Sequence, residues 1–239
     1  MIIKKMGDYH FPGLTACIIE DDQIIWKGNF GKANLEQNKL VTDSTLFTIA
    51  SVSKTITGVA LMQLWEKELF ELDDDINNHL PFEVRNPSFP NDPVTFRMLL
   101  SHVSSIKDNW NILPSLRCWD CDSPIELKTF LENYLLPGGN YYTSSSWYEY
   151  TPGTENNYSN VAIALVGYLV ETIADTSFED YCHNNIFSPL GMTETSWFLR
   201  NLVNDRIAVP YRYSGGKYIP SRHFGEPIYP AGNLRTTRD

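Results

Sequence analysis

Apolar residues recur along the chain with two periods, one typical of strands and the other typical of helices. Residues 14–19 form a short apolar run, and a second apolar run spans residues 24–30. The polar pair Asp21-Asp22 separates the two runs, which predicts a β-hairpin. A second hairpin is predicted over residues 211–219, because Ser214-Gly215-Gly216 supplies turn residues in the middle of that stretch.

Between the two hairpins, apolar residues recur at helical spacing. Ile56, Ala60 and Leu64 share one face of a helix, so a helix is predicted over about residues 51–70. The same spacing predicts another helix that begins near Asn160.

Polar residues mark where two further helices begin. Ser123 and Glu126 have the spacing of a capping box, and Pro124 suits the first turn, so a helix is predicted over residues 123–136. Ser177 is predicted to cap a shorter helix.

The order of elements is strands, then many helices, then a hairpin, and no linker-like stretch or internal repeat divides it. We therefore expect one α/β (α+β) domain over residues 1–239, with an antiparallel sheet flanked by helices. The first strands of the sheet are expected within residues 1–50. Residues 51–239 are expected to be mainly helical, apart from the hairpin near 211–219.

Charge and hydropathy exclude several classes of partner. The 239 residues include 19 Lys and Arg against 29 Asp and Glu, a net charge of −10 without a basic stripe, so no nucleic acid is expected to bind. No apolar run reaches the roughly 18 residues that a membrane span needs. Residues 1–8 lack the apolar core of a signal peptide, so the compartment stays open, with a cytoplasmic location as the default and export as the alternative.

Cys118 and Cys121 form a C-x-x-C pair in a stretch that is predicted to be a loop. A zinc site would need a second pair or histidines at ligand spacing, and a thioredoxin-like site would need the pair at a helix start after a strand. Neither context is present in the sequence, so metal or redox chemistry is the less favoured interpretation and no bound metal is expected.

Ser51-Val52-Ser53-Lys54 is an S-x-x-K pattern at the start of a predicted helix. Residues i and i+3 share a helical face, so the amine of Lys54 can reach the hydroxyl of Ser51. A serine hydroxyl becomes a good nucleophile when a neighbouring base takes its proton, and a helix N-terminus favours the oxyanion of acyl transfer. Taken alone the pattern is weak, and an N-cap serine beside a solvated lysine is the simpler interpretation.

Other segments, in a fixed order, give the S-x-x-K pattern a context. The segment 47–55 resembles the nucleophile segment of the serine β-lactamase and penicillin-binding-protein superfamily. Tyr158-Ser159-Asn160, which follows Pro152-Gly153-Thr154, is similar to the Y-x-N motif of one branch of that superfamily. This branch holds class C β-lactamases, D-alanyl-D-alanine carboxypeptidases and family VIII esterases. The further segments that resemble it are 11–14, 99–105, 189–192 and 231–239.

The resemblance implies a β-lactamase/transpeptidase-like fold and an acyl-enzyme at Ser51 during hydrolysis of an amide or ester. The substrate would be a β-lactam, a D-alanyl peptide or a small ester. Lys54 and Tyr158 would share the role of general base, and Tyr158 would protonate the leaving group. Asn160 would bind the substrate and hold Lys54. The implied partner is therefore a small molecule or a peptide, and no metal or organic cofactor is implied.

Outside this context the same residues have simpler roles. Tyr158 would be a buried aromatic residue and Asn160 a helix cap. His102 is interpreted as structural, because the chain contains no G-x-S-x-G elbow that would pair it with a serine. The aromatic residues between Trp110 and Tyr150 either line a cleft or pack in the core, and the sequence leaves both open.

The resemblance also predicts a third motif, K-T-G or H-x-G, and none is identified at its place, since Lys217-Tyr218-Ile219 lacks the glycine. The expectation is a member truncated at its C-terminus, with the last strands of the sheet missing. The exposed sheet edge would then permit self-association. The alternative function is that of a catalytically impaired relative that serves as a binding or assembly module.

Overall fold

The computed structural model describes residues 1–238, in which helices alternate with short strands. The α-helices are α1 (Ile2–Tyr9), α2 (Ser53–Glu66), α3 (Phe96–Leu100), α4 (Leu127–Leu135), α5 (Asn160–Ala174) and α6 (Phe178–Cys182). A π-helical turn, His183–Phe187, follows α6 directly. The strands are β1 (Gly13–Glu20), β2 (Gln23–Asn34), β3 (Lys39–Leu40), β4 (Phe47–Thr48), β5 (Cys118–Trp119), β6 (Tyr211–Ser214), β7 (Lys217–Pro220), β8 (Phe224–Gly225) and β9 (Arg235–Thr236).

The strands of the described residues pair in four small antiparallel sheets. β1 and β2 form the first predicted hairpin, with Gly13 opposite Gly31 and Glu20 opposite Gln23, and β3 extends this sheet beside β2. β6 and β7 form the second predicted hairpin. The pairs β4–β9 and β5–β8 join segments that lie far apart in the sequence.

Within the described residues, β1 and β3 are the outer strands of the three-stranded sheet. Apolar side chains near the turn of the β1–β2 hairpin are open to solvent, at between 38% and 63% of their full exposure. They are Ile18, Ile19, Ile24, Ile25 and Trp26.

Helix α5 lies at the centre of the hydrophobic core, and each of its residues 161–170 is buried. A helix that is apolar on all sides is expected where other elements enclose it, and here α2, α3, α4 and α6 pack around it. Gly167 allows a turn of the chain to approach α5 closely, since a Cβ at this position would lie 2.7 Å from Cγ of Pro230. The turn Tyr229–Ala231 therefore packs directly on the helix.

The helix predicted over residues 51–70 is shorter than expected. Ser51 lies in a 3₁₀ turn, Ala50–Val52, and α2 begins only at Ser53. Ala50 has a φ of 45°, a left-handed conformation that keeps the preceding chain out of the helix. A second left-handed residue, Glu68 with a φ of 58°, lies just beyond the end of α2 at Glu66.

The capping box predicted at Ser123 and Glu126 does not form, and α4 begins only at Leu127. The Ser123 hydroxyl instead accepts from the N–H of Ile125 at 3.2 Å and donates to its carbonyl at 3.1 Å. Serine favours such local bonds as readily as helix caps, so the pattern alone does not distinguish the two. The helix starts predicted at Asn160 and Ser177 are confirmed.

The predicted fold class, α/β (α+β) with antiparallel strands and a large helical region, is confirmed. No single helix in residues 1–238 is long and apolar enough to cross a membrane. Only α5 and the segment Phe178–Phe187 reach that length and composition together, and they are bent by 79° from each other.

Candidate active site

The turn that carries Ser51 is fixed by bonds to the segment just before β9. The N–H of Ile49 donates to the carbonyl of Leu234 at 3.0 Å. The buried hydroxyl of Ser53 donates to the Ala50 carbonyl at 2.6 Å and accepts from the Leu234 N–H at 3.2 Å. These bonds hold Ser51 in an exposed position at the entrance to α2.

The structure brings the three residues proposed for catalysis together. Ser51 Oγ lies 2.7 Å from Tyr158 Oη, and Lys54 Nζ donates to Ser51 Oγ at 3.2 Å. Lys54 Nζ also lies 4.8 Å from the centre of the Tyr158 ring. Tyr158 is 50% exposed, so it is not the buried aromatic residue of the simpler interpretation. Both candidate bases are within direct proton-transfer distance of the hydroxyl.

The amine of Lys54 has three hydrogen-bond acceptors around it. Besides Ser51 Oγ, it donates to Asn160 Oδ1 at 2.8 Å and to the Ala231 carbonyl at 2.6 Å. The Ala231 carbonyl is in place because its turn packs on α5, opposite Gly167. The structure thus places Asn160 in contact with Lys54, at the first residue of α5.

Asp108 joins this group, although the sequence analysis did not single it out. Its carboxylate accepts from the main-chain N–H of Asn160 at 2.9 Å, from Asn160 Nδ2 at 2.7 Å and from the Val161 N–H at 3.0 Å. The side chain of Ser159 caps the same helix by accepting from the Ala162 N–H at 3.0 Å. A carboxylate is favoured at a helix N-terminus, where main-chain N–H groups lack partners. No local pattern identifies Asp108, because its partners lie about fifty residues further along the chain.

His102 lies beside the group without a bond to Ser51. Its ring centre is 4.6 Å from that of Tyr158, and its Nδ1 accepts from the Ser159 N–H at 3.3 Å. Burial lowers the pKa of His102, the nearby charge of Lys54 lowers it further, and Asp108 acts in the opposite direction. These contacts agree with the structural role predicted for this histidine.

Ser51 opens into a cleft of about 430 Å³. Trp110 lines it with an exposed indole, whereas Trp147, from the same aromatic-rich region, is buried in the core. Some of these aromatic residues therefore line the cleft, and others pack in the core. Phe224 and Glu226 also line the cleft, and no motif in the sequence indicates either residue. Their position follows from the pairing of β8 with β5, which a linear pattern does not reveal.

The prediction of a loop at the C-x-x-C pair is wrong, because Cys118 lies in β5, opposite Gly225 of β8. Cys118 and Cys121 form a disulfide with a Cα–Cα distance of 5.4 Å. Within residues 1–238, no group of three or more His, Cys, Asp or Glu side chains is arranged to hold a metal ion. The Cys118–Cys121 disulfide closes a short loop that lies beside one wall of the cleft.

The letters H-x-G do occur in the chain, at His223-Phe224-Gly225, contrary to the expectation that no such pattern is present. A packing requirement accounts for the glycine. A Cβ on Gly225 would lie 2.5 Å from the main-chain nitrogen of Ser123 and 2.7 Å from the carbonyl oxygen of Cys121. The glycine thus lets β8 approach the disulfide loop.

This arrangement combines a solvent-accessible hydroxyl, an amine and a phenol in mutual contact, and an adjoining cleft. Such a set can take the proton of a nucleophile and return it to a leaving group. The model for the Beta-lactamase family matches residues 1–239. The chain belongs to the Beta-lactamase family.

The curated relatives match most of this chain, but the match covers less than half of each relative's own length. Protein flp of Staphylococcus aureus (strain MRSA252) is 25% identical over 213 residues, 89% of this chain and 40% of the relative. Penicillin-binding protein 4* of Bacillus subtilis (strain 168) is 28% identical over 208 residues, 86% of this chain and 42% of the relative. The chain thus spans about 40% of the length of these relatives.

Solved structures of the family share the fold. The octameric penicillin-binding protein homologue from Pyrococcus abyssi superposes with a TM-score of 0.76 at 25% identity, over 99% of this chain and 52% of that one. The β-lactamase/transpeptidase-like fold that the sequence predicts is therefore confirmed.

Proposed function

We propose that this chain is a serine acyl hydrolase in which Ser51 attacks the carbonyl of an amide or ester. The observation that carries the proposal is the contact of Ser51 Oγ with Tyr158 Oη at 2.7 Å and with Lys54 Nζ at 3.2 Å. The membership of the Beta-lactamase family supports the same reaction class. The substrate would be a β-lactam, a D-alanyl peptide or a small ester.

In the acylation step, the bond from Ser51 Oγ to the substrate carbon forms as the hydroxyl proton passes to Tyr158 or Lys54. Lys54 Nζ lies 4.8 Å from the centre of the Tyr158 ring, so a positive charge on it would favour the negative charge that develops on the phenol oxygen during proton transfer. The tetrahedral intermediate then collapses, and Tyr158 returns the proton to the leaving amine or alcohol. A water molecule then attacks the acyl carbon while Tyr158 takes one of its protons, and the bond to Ser51 Oγ breaks as that proton passes to the serine, which releases the acid.

Two groups would stabilise and orient the reacting acyl group. The main-chain N–H of Ser51, at the entrance to α2, would donate to the developing oxyanion. Asn160 would donate a hydrogen bond to the substrate while its Oδ1 holds Lys54. Lys54 is therefore kept beside Ser51 throughout the reaction.

Covalent labelling tests the proposal without knowledge of the substrate. A fluorophosphonate probe would form an Oγ–P bond with release of fluoride, and peptide mapping would locate it. We expect the label on Ser51, its loss in Ser51→Ala, and unchanged labelling in Ser88→Ala, which replaces an exposed serine. Folded protein that takes no label at residue 51 would overturn the proposal and favour the alternative of a binding module.

We also propose that the exposed edge at β1 supports self-association of this chain. The apolar residues around Ile19 and Trp26 support it, and a structural neighbour is described as octameric. Light scattering after size exclusion should then give a molar mass above the 27.4 kDa of one chain. Ile19→Lys, placed on the edge strand, should return the mass to that of one chain, and a monomeric parent protein would contradict this proposal.

A further inference from the structure

The cleft beside Ser51 contains one charged side chain among its lining residues in the described part of the chain, and that side chain is acidic. The lining consists of Thr48, Ala50, Ser51, Trp110, Asn160, Phe224, Glu226, Ile228, Ala231, Gly232 and Asn233. Glu226 is 9% exposed, so its carboxylate is largely withdrawn from bulk water. A buried carboxylate needs a partner, because loss of hydration is costly for a charged group.

Arg117 forms a hydrogen bond with only one of the two oxygens of the Glu226 carboxylate. Its Nε donates to Glu226 Oε2 at 3.2 Å, while Oε1 has no hydrogen-bond partner within residues 1–238. The pKa of Glu226 is raised, because burial outweighs the hydrogen bond from Arg117 and the charges of Arg117 and Lys54. Arg117 is not among the lining residues, so the carboxylate rather than the guanidinium faces the space in which a substrate would lie.

The walls near Glu226 include aromatic side chains, which suit a cationic ligand. The exposed indole of Trp110 lines the cleft, and Phe224 lines it too, with the Arg117 guanidinium already 4.3 Å from the centre of its ring. Aromatic faces attract ammonium groups, particularly where water is partly excluded. Lys54 is already bound to Ser51, Asn160 and the Ala231 carbonyl, so the Trp110 indole and the second oxygen of Glu226 are left to receive a cationic ligand.

We propose that Glu226 determines substrate specificity, its carboxylate accepting a hydrogen bond from a protonated amine carried by the acyl substrate. The inference rests on the proposed function, because the amine is recognised while Ser51 attacks the carbonyl of the same molecule. Glu226 makes no bond to Ser51, Lys54 or Tyr158 within the described residues, so it acts on substrate choice and leaves the proton transfer to those three. Acyl substrates with a carboxylate at the same position are disfavoured by like charge.

Three fluorophosphonates with alkyl arms of equal length test the proposal, one ending in an ammonium group, one in a methyl group and one in a carboxylate. Second-order rates of Ser51 labelling are compared between the parent protein and Glu226→Gln, which keeps the size and removes the charge. The parent should prefer the ammonium probe over the carboxylate probe by roughly tenfold or more. Glu226→Gln should bring this ratio close to one, while the methyl probe changes less than about threefold.

Glu226→Asp keeps the charge on a shorter side chain and should retain part of the preference. It also maintains the test if Glu226→Gln does not fold. The methyl probe reports the integrity of Ser51 in each variant, because a purely structural role of the Arg117–Glu226 pair would slow all three probes alike. Labelling with the same ratio in all proteins would overturn the specificity role alone. Absence of any label on Ser51 would overturn the proposed function, and the specificity role with it.

Discussion

Asp108 holds Asn160 through both its main chain and its side chain. The two carboxylate oxygens accept from the Asn160 N–H at 2.9 and 3.0 Å, and one of them also accepts from Asn160 Nδ2 at 2.7 Å. The amide can therefore present only its oxygen to Lys54, which donates to it at 2.8 Å. A carboxylate that touches neither Ser51 nor the cleft thus sets the position of the amine beside the nucleophile.

The substitution Asp108→Asn should misplace Lys54 without touching it. The new amide cannot accept all of these bonds, so we expect a loss of about 1–3 kcal/mol in the free energy of unfolding, measured by urea denaturation. Labelling of Ser51, measured where the variant is fully folded, should slow by roughly tenfold or more. Asp73→Asn, at an exposed ion pair with Arg97, is the control and should change neither quantity appreciably. A stable variant with normal labelling would show that Asp108 does not position Lys54.

Tyr158→Phe removes only the hydroxyl that lies 2.7 Å from Ser51 Oγ. Loss of a general base slows a reaction by about 10²–10⁴, and we expect the rate of fluorophosphonate labelling to fall within this range. Stability should change little because the side chain is half exposed. Tyr213→Phe, in the β6–β7 hairpin, is the matched control and should label at the parental rate. A Tyr158→Phe variant that labels as fast as the parent would leave Lys54 as the sole base.

The parts of the site that the sequence predicts are those with local or motif-like signals. Ser51 and Lys54 are three residues apart, and helical geometry alone brings them into contact. Tyr158 and Asn160 follow from the resemblance, because no periodicity indicates that residue 158 lies beside residue 51. Asp108 and Glu226 depend on neighbours brought in by tertiary folding, so neither carries a local signal.

The same distinction explains which elements the sequence predicts correctly. The two hairpins and the start of α5 arise from local turn residues and apolar spacing, and the structure contains them. The start of α4 was misplaced because Ser123 bonds to Ile125 in its own turn instead of capping a helix. No local pattern predicts the 3₁₀ turn at Ser51, because the left-handed Ala50 is bonded to Ser53, and Ser53 and Ile49 are held in turn by tertiary bonds to Leu234.

His102 gives the site a pH dependence with a defined sign. Burial and the charge of Lys54 lower the pKa of His102 below its usual 6.5, against an opposing effect of Asp108, while the ring packs on Tyr158. The unfolded chain therefore binds the proton first. The neutral ring contributes its full stability above about pH 6.5, and this contribution is lost as the pH falls below that value.

The measurement is urea denaturation of the parent protein and His102→Gln at pH 8 and at pH 5.5. Glutamine keeps an acceptor for the Ser159 N–H but does not titrate. Any stability advantage of the parent should therefore shrink at the lower pH. His183→Gln, at an exposed histidine, is measured alongside as the control substitution. A constant difference between parent and His102→Gln would contradict the lowered pKa of this partly buried ring.

The Cys118–Cys121 disulfide should stabilise the cleft wall as well as the loop it closes. β5 pairs with β8, and the N–H of Asp120 donates to the His223 carbonyl at 2.7 Å, so the closed loop holds the strand that leads to Glu226. Opening so short a loop is expected to cost about 2 kcal/mol of unfolding free energy. The Cys118→Ser/Cys121→Ser variant and the parent in excess dithiol should lose this amount alike. Cys17→Ser, at a free cysteine, is the control and should not lower the unfolding free energy by this amount. Because the wall carries Glu226, the variant should also discriminate less between the ammonium and carboxylate probes, whereas unchanged discrimination would show that β8 keeps its place without the bridge.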